Sequence, residues 1–149
     1  MITHSNQDLI NLKKIGKIVG ITLKEMINAL KPGITTAQLD KLGANTLQKL
    51  GARSAPQLLY KFPGATCISV NDEVAHGIPG KRVIKPGDLV NIDVSAELNG
   101  YFADSGASIP IEPVSRLIFD ICKTSKSALK KAVAAATAGA DINRIGLLV

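Results

Sequence analysis

Between Leu89 and Ile111 the sequence leaves little choice of local structure. Leu89, Asn91, Asp93 and Ser95 alternate with Val90, Ile92 and Val94, which is the two-residue period of a strand with one apolar face. Asn99-Gly100 follows, and this pair is the strongest short hairpin signal because both central positions of a type I′ turn need positive φ. A second β-prone run, Tyr101 to Ile111, completes the hairpin. With a two-residue turn, cross-strand partners carry numbers that sum to 199, so Asp104 lies opposite Ser95. Asp93 and Asp104 then share a face as diagonal neighbours, roughly 6–8 Å apart at Cβ. A three-residue loop would break the parity and send the two carboxylates to opposite faces.

Helical periodicity flanks this β-prone centre. From Gln7 to Leu30, apolar residues recur at Leu12, Ile15, Val19, Leu23, Met26, Ile27 and Leu30, with lysines on the other face. Lys31-Pro32-Gly33 stops that helix. Thr35, with Gln38 three residues on, forms a capping box for a second helix carrying Leu39, Leu42, Leu47 and Leu50 and ending at Gly51. Cys67–Val70 and Arg82-Val83-Ile84 read as further short β-prone segments, and helical spacing returns from Pro113 to Ala136. The order helix, helix, strands, helix predicts an α+β fold rather than alternating β-α units.

A second pattern bears on domain organisation. Gly33, Thr35 and Leu39 follow the first helix as Gly139, Asp141 and Ile145 follow the late one, 106 residues further on, with Asp141 in the N-cap role of Thr35. So short a match is either chance or an internal duplication. If it is a duplication, residues 1–149 hold one full half of a two-half protein and the start of the other.

Composition narrows the function classes. Of 149 residues, 46% are hydrophobic but only 3% aromatic, with no Trp, so the expected core is aliphatic. No apolar run is long enough to span a membrane, and the first eight residues lack the basic and apolar segments of a signal peptide, which points to the cytoplasm. Cys67 and Cys122 form no CxxC pair and are expected to be reduced, buried thiols. The net charge of +6 allows weak attraction to ribosomes or other anionic surfaces. The lysines are nevertheless spread over two helices as solvated faces, and no zinc-finger spacing or aromatic platform indicates a nucleic-acid module.

The chemistry rests on Asp93 and Asp104. An anionic pair within a sheet is costly unless cations compensate it. Oxygen donors on rigid strands suit two divalent metals roughly 3.5–4 Å apart, which activate a water and polarise a carbonyl for hydrolysis. The alternative is a pair of solvated turn residues, against which Asp93 stands because it interrupts an otherwise apolar strand. His76 lies between Gly77-Ile78-Pro79 and Asn71-Asp72-Glu73-Val74-Ala75, in a turn suited to presenting its ring or simply to a structural role. Two aspartates and one histidine are too few ligands for two metals, so others must come from elsewhere.

Three blocks in correct order and spacing carry a family resemblance: Cys67 to Pro79, Gly87 to Val94, and Asn99 to Asp104. They resemble type I methionine aminopeptidase of the compact bacterial form, as do Lys31 to Thr36 and Ser54-Ala55-Pro56. The resemblance implies a pita-bread fold, of which this sequence holds the first half plus the start of the second. It implies one peptidase M24-like catalytic domain over residues 1–149, truncated at its C-terminal side. It also implies a cytoplasmic metalloaminopeptidase, monomeric when complete, that removes the initiator methionine from nascent proteins.

By the same resemblance, Asp93 and Asp104 are ligands of two divalent ions (Co, Mn, Fe, Zn or Ni). His76 is the catalytic and substrate-binding histidine near the scissile amide, and Leu59, Phe62, Cys67 and Pro56 line the methionine pocket. The family's remaining ligands, one histidine and two glutamates, match no residue after Asp104. The chain alone is therefore expected to have little activity. The competing class is a non-catalytic pita-bread binding protein, whose members often lose metal ligands. A proline-directed dipeptidase is a third reading, usually with an extra N-terminal domain.

Overall fold

The Asn99-Gly100 turn organises the sheet as its sequence predicts. In the computed structural model, which describes Thr3 and residues 5–149, φ is 54° at Asn99 and 84° at Gly100. The N-terminal stretch read for a signal peptide includes Met1, Ile2 and His4, which lie outside the described residues. The turn joins β3 (Leu89–Leu98) to β4 (Tyr101–Pro110) in antiparallel register with Ser95 opposite Asp104. Glu97, only 3% exposed, accepts a 2.6 Å hydrogen bond from the Gly100 amide and a 2.7 Å bond from Arg53 Nε, which secures the turn from below.

β3 is the centre of a four-stranded antiparallel sheet. On its other edge it pairs with β1 (Arg53–Ser54) and β2 (Cys67–Val70). Val90, Ile92, Val94 and Ala96 are fully buried, while Asn91, Asp93 and Ser95 are half-buried on the opposite face. The apolar face is covered by α1 (Asn6–Ala29), through Ile15, Ile18, Val19, Leu23 and Met26, and α2 (Thr36–Lys49) adds Leu39 and Leu47. Burying that aliphatic stripe supplies the driving force for this unit, at about 1.5–3 kcal/mol for each fully covered Leu, Ile, Val or Met.

Both helices start where side chains satisfy their free amides. Thr35 and Gln38 form the expected capping box. Ser5 and Asp8 form another for α1, with bonds of 3.1 and 2.9 Å, and Tyr101 donates a 2.6 Å hydrogen bond from its hydroxyl to Asp8.

Three local expectations need correction. Arg82-Val83-Ile84 is not a strand of the sheet. Its backbone bonds residues 33–36 of the turn before α2, with a single bridge between Thr35 and Val83. A short helix not anticipated, α3 (Ala55–Tyr60), follows β1 and is capped by Ser54, whose hydroxyl accepts from the Gln57 amide. Asp141 is not a side-chain cap: the six-residue helix α5 (Asn143–Leu148) begins after Ile142 with no such bond, although Gly139 shares the left-handed backbone of Gly33. Pro113–Val149 forms a separate compact unit in which α4 (Arg116–Ala135) packs with α5.

Candidate active site

Asp93 and Asp104 meet on the half-buried face of the β3–β4 hairpin. Asp93 sits opposite Gly106 and Cys67, and Ser95 sits opposite Asp104, so the carboxylates are diagonal neighbours as the parity argument requires. Asp104 lies close enough for its charge to act on the Asp93 carboxyl. A Cβ on Gly106 would come within 3.3 Å of the Asp93 carboxylate, so this small residue leaves Asp93 its space. Burial, then the charge of the neighbouring Asp104, push Asp93 up to about 6, while His76 pulls it back. At neutral pH the hairpin therefore gathers negative charge in a place that water only partly relieves.

A cavity of about 390 Å³ opens over this pair, lined by Pro56, Tyr60, Phe62, Cys67, His76, Asp93, Ser95 and Asp104. Six of the seven residues singled out in the sequence are in it; Leu59 is not. Its side chain is 54% exposed, because Pro56 and Tyr60, one helical turn apart, form the α3 stripe that faces the cavity. Tyr60 and Ser95 were missed. Ser95 could have been found, since strand alternation puts it on the face of Asp93.

Cys67 is a buried free thiol, and burial followed by the charges of Asp93, Asp104 and Asp40 raises its pKa, which keeps it neutral. Cys122 is also a free thiol but half-buried, because none of the residues of α4 is buried. The lysines of both helices are exposed, in keeping with solvated faces.

His76 reaches the cavity from an irregular loop with φ of 54°. The donors fit a hard divalent cation in part. Two carboxylates with unrelieved charge are suitable oxygen ligands, but among the described residues no cluster of three or more His, Cys, Asp or Glu could hold a metal ion. Asp93 and Asp104 would thus hold such an ion from one side.

The profile of metallopeptidase family M24 matches residues 10–149. Methionine aminopeptidase 2 of Bacillus subtilis is 45% identical over 150 residues, which are 100% of this chain and 60% of that protein. The crystal structure of methionine aminopeptidase from Rickettsia prowazekii matches with a TM-score of 0.82 at 34% identity, over 89% of this chain and 54% of that one. A prolidase from Pyrococcus furiosus matches with a TM-score of 0.82 at 20% identity, over 97% of this chain and 41% of its own, a likeness of fold. The architecture is the α+β pita-bread fold, and the chain spans about 60% of the length of its curated relatives.

Proposed function

This chain belongs to metallopeptidase family M24, and from that premise we propose that its cavity serves methionine aminopeptidase chemistry, the removal of the initiator methionine from nascent proteins. The observation that carries the reading is the convergence of Asp93, Asp104 and His76 on one cavity with apolar walls. The catalytic domain in this reading spans residues 1–149 together with the part of the M24 fold that supplies further ligands.

Asp93 and Asp104 hold the metal side of the cavity, with two divalent ions among Co, Mn, Fe, Zn and Ni as the cofactors. When bound, such ions supply an activated water and polarise the scissile carbonyl. Pro56, Phe62 and Cys67, with the 79% exposed Tyr60 at the mouth, receive an unbranched thioether side chain. A neutral thiol beside aromatic and proline carbon is a good match for methionine sulfur. His76 faces the carboxylates across the cavity, where its imidazole would hydrogen-bond the substrate near the scissile amide and help carry the proton that the attacking water loses to the departing amine nitrogen. The partner is the N-terminal methionine of a nascent polypeptide met in the cytoplasm, with exposed lysines giving weak attraction to the ribosome and the complete enzyme acting as a monomer. Among the described residues no helix is long and apolar enough to cross a membrane.

The test joins this chain to the remaining C-terminal part of the Bacillus subtilis relative and supplies manganese or cobalt with a methionyl peptide. Methionine release is expected, and Asp93→Asn or Asp104→Asn should abolish it; near-normal turnover in either variant would remove the metal-ligand assignment. The 149-residue chain by itself should bind manganese weakly and release little or no methionine, because its described donors are too few. Rapid metal-dependent turnover by that chain would contradict this.

A further inference from the structure

The ring of His76 depends on how its backbone is held, because a non-glycine residue at φ of 54° persists only where its surroundings fix it. Residues 72–76 are exposed, so the fixing comes from the next residue. The Gly77 amide donates a 3.0 Å hydrogen bond to Ser69 Oγ, and the Gly77 carbonyl accepts a 2.9 Å bond from the Ile68 amide. The approach is so close that a Cβ on Gly77 would overlap the Ile68 carbonyl oxygen. Pro79 packs against Gly64 in the same way, where a Cβ would come within 2.7 Å of the proline ring. Ser69 is only 3% exposed, and its strand β2 is pinned to β3 through the pair Ser69 and Asn91. Its hydroxyl is thus a rigid anchor on the sheet that carries Asp93.

We propose that Ser69 is a positioning residue for His76: its hydroxyl ties the Gly77 amide to β2 and so fixes the left-handed turn that aims the imidazole at the Asp93–Asp104 face. The functional consequence rests on the reading of the cavity given above, whereas the clamp is a property of the chain itself. The other end of the loop is anchored independently. Glu73 accepts from the Val70 amide, and Asn71 bonds both Asp88 and the Leu89 amide. Loss of the Ser69 hydroxyl should therefore loosen residues 76–78 without releasing the loop as a whole.

The measurement is NMR on the metal-free 149-residue chain, in which His76 is one of two histidines. In the unaltered protein the amides of Gly77 and Ile68 should exchange far more slowly than those of residues 72–75. Ser69→Ala should speed Gly77 exchange about tenfold, the loss of one buried hydrogen bond. It should also lower the order parameter of the His76 ring while leaving β3 amides unchanged. Ser69→Thr, which keeps the hydroxyl, should restore both. Equal Gly77 protection and an equally ordered ring in Ser69→Ala would overturn the proposal, as would unprotected Gly77 in the unaltered chain. Manganese-induced broadening around Asp93 and Asp104, recorded on the same samples, reports separately on the metal reading.

Discussion

Helices α1 and α4, 24 and 20 residues long, both set lysines opposite an apolar stripe. α1 buries six residues against the sheet and α2, whereas α4 buries none and leaves Leu117, Ile121, Leu129 and Val133 mostly exposed. Their caps differ in the same sense. Ser5 and Asp8 bond reciprocally, while Ser115 accepts a single 3.3 Å bond from the Ile118 amide. Amphipathic patterning thus specifies that a helix seeks an apolar surface, and the surface decides how much of that free energy is realised.

The contrast can be broken most directly by truncating side chains. Ile15→Ala, in a fully buried site, should cost about 2–5 kcal/mol of unfolding free energy in urea melts. Leu129→Ala, 61% exposed, should stay within about 0.5 kcal/mol. Comparable losses would mean that α4 has a cover in solution.

Caps sharpen the comparison at smaller scale. Ser5→Ala should cost about 1 kcal/mol in the same melts, and Ser115→Ala a few tenths. Amide exchange should show α4 opening far below the global unfolding free energy and α1 near it.

A pH dependence in the sheet unit gives a further contrast. Asp93 is raised to about 6 in the folded state, so its charge opposes folding, and stability of the metal-free chain should rise as pH falls from about 6 toward 4. Glu97 is held low by the Arg53 hydrogen bond and the Gly100 amide. Asp88 is also low despite its burial, because the Lys85 amide, Asn71 and Arg82 outweigh that cost. Both stabilise above their ordinary values and lose that contribution as pH falls through their folded ones. Thermal melts should therefore show a shallow maximum in mildly acidic buffer, and Asp93→Asn should flatten its neutral side.

The hairpin was legible because two local signals agree there: alternation along Leu89 to Ser95 and the Asn99-Gly100 turn. Its register carried Asp93 and Asp104 to one face with no tertiary information. α3 was missed although Ser54, Pro56 and Gln57 form a readable helix start, because a six-residue segment has too few turns to show periodicity. That omission hid Tyr60, and the stripe of α3 also turns Leu59, placed in the pocket by resemblance, away from the cavity. Arg82-Val83-Ile84 misled for the opposite reason, since β-prone residues found loop partners instead of a strand. The clamp on Gly77 joins residues eight apart through a serine whose contact the strand pattern does not reveal.

The two-residue turn at Asn99-Gly100 also limits the ways this gene can drift. The tip is exposed and costs little to lengthen, yet gaining or losing a single codon there would uncouple Asp104 from Asp93 while the hairpin could still form. Descendants that keep the two carboxylates on one face can change that loop only by pairs of codons or by an insertion with a compensating bulge.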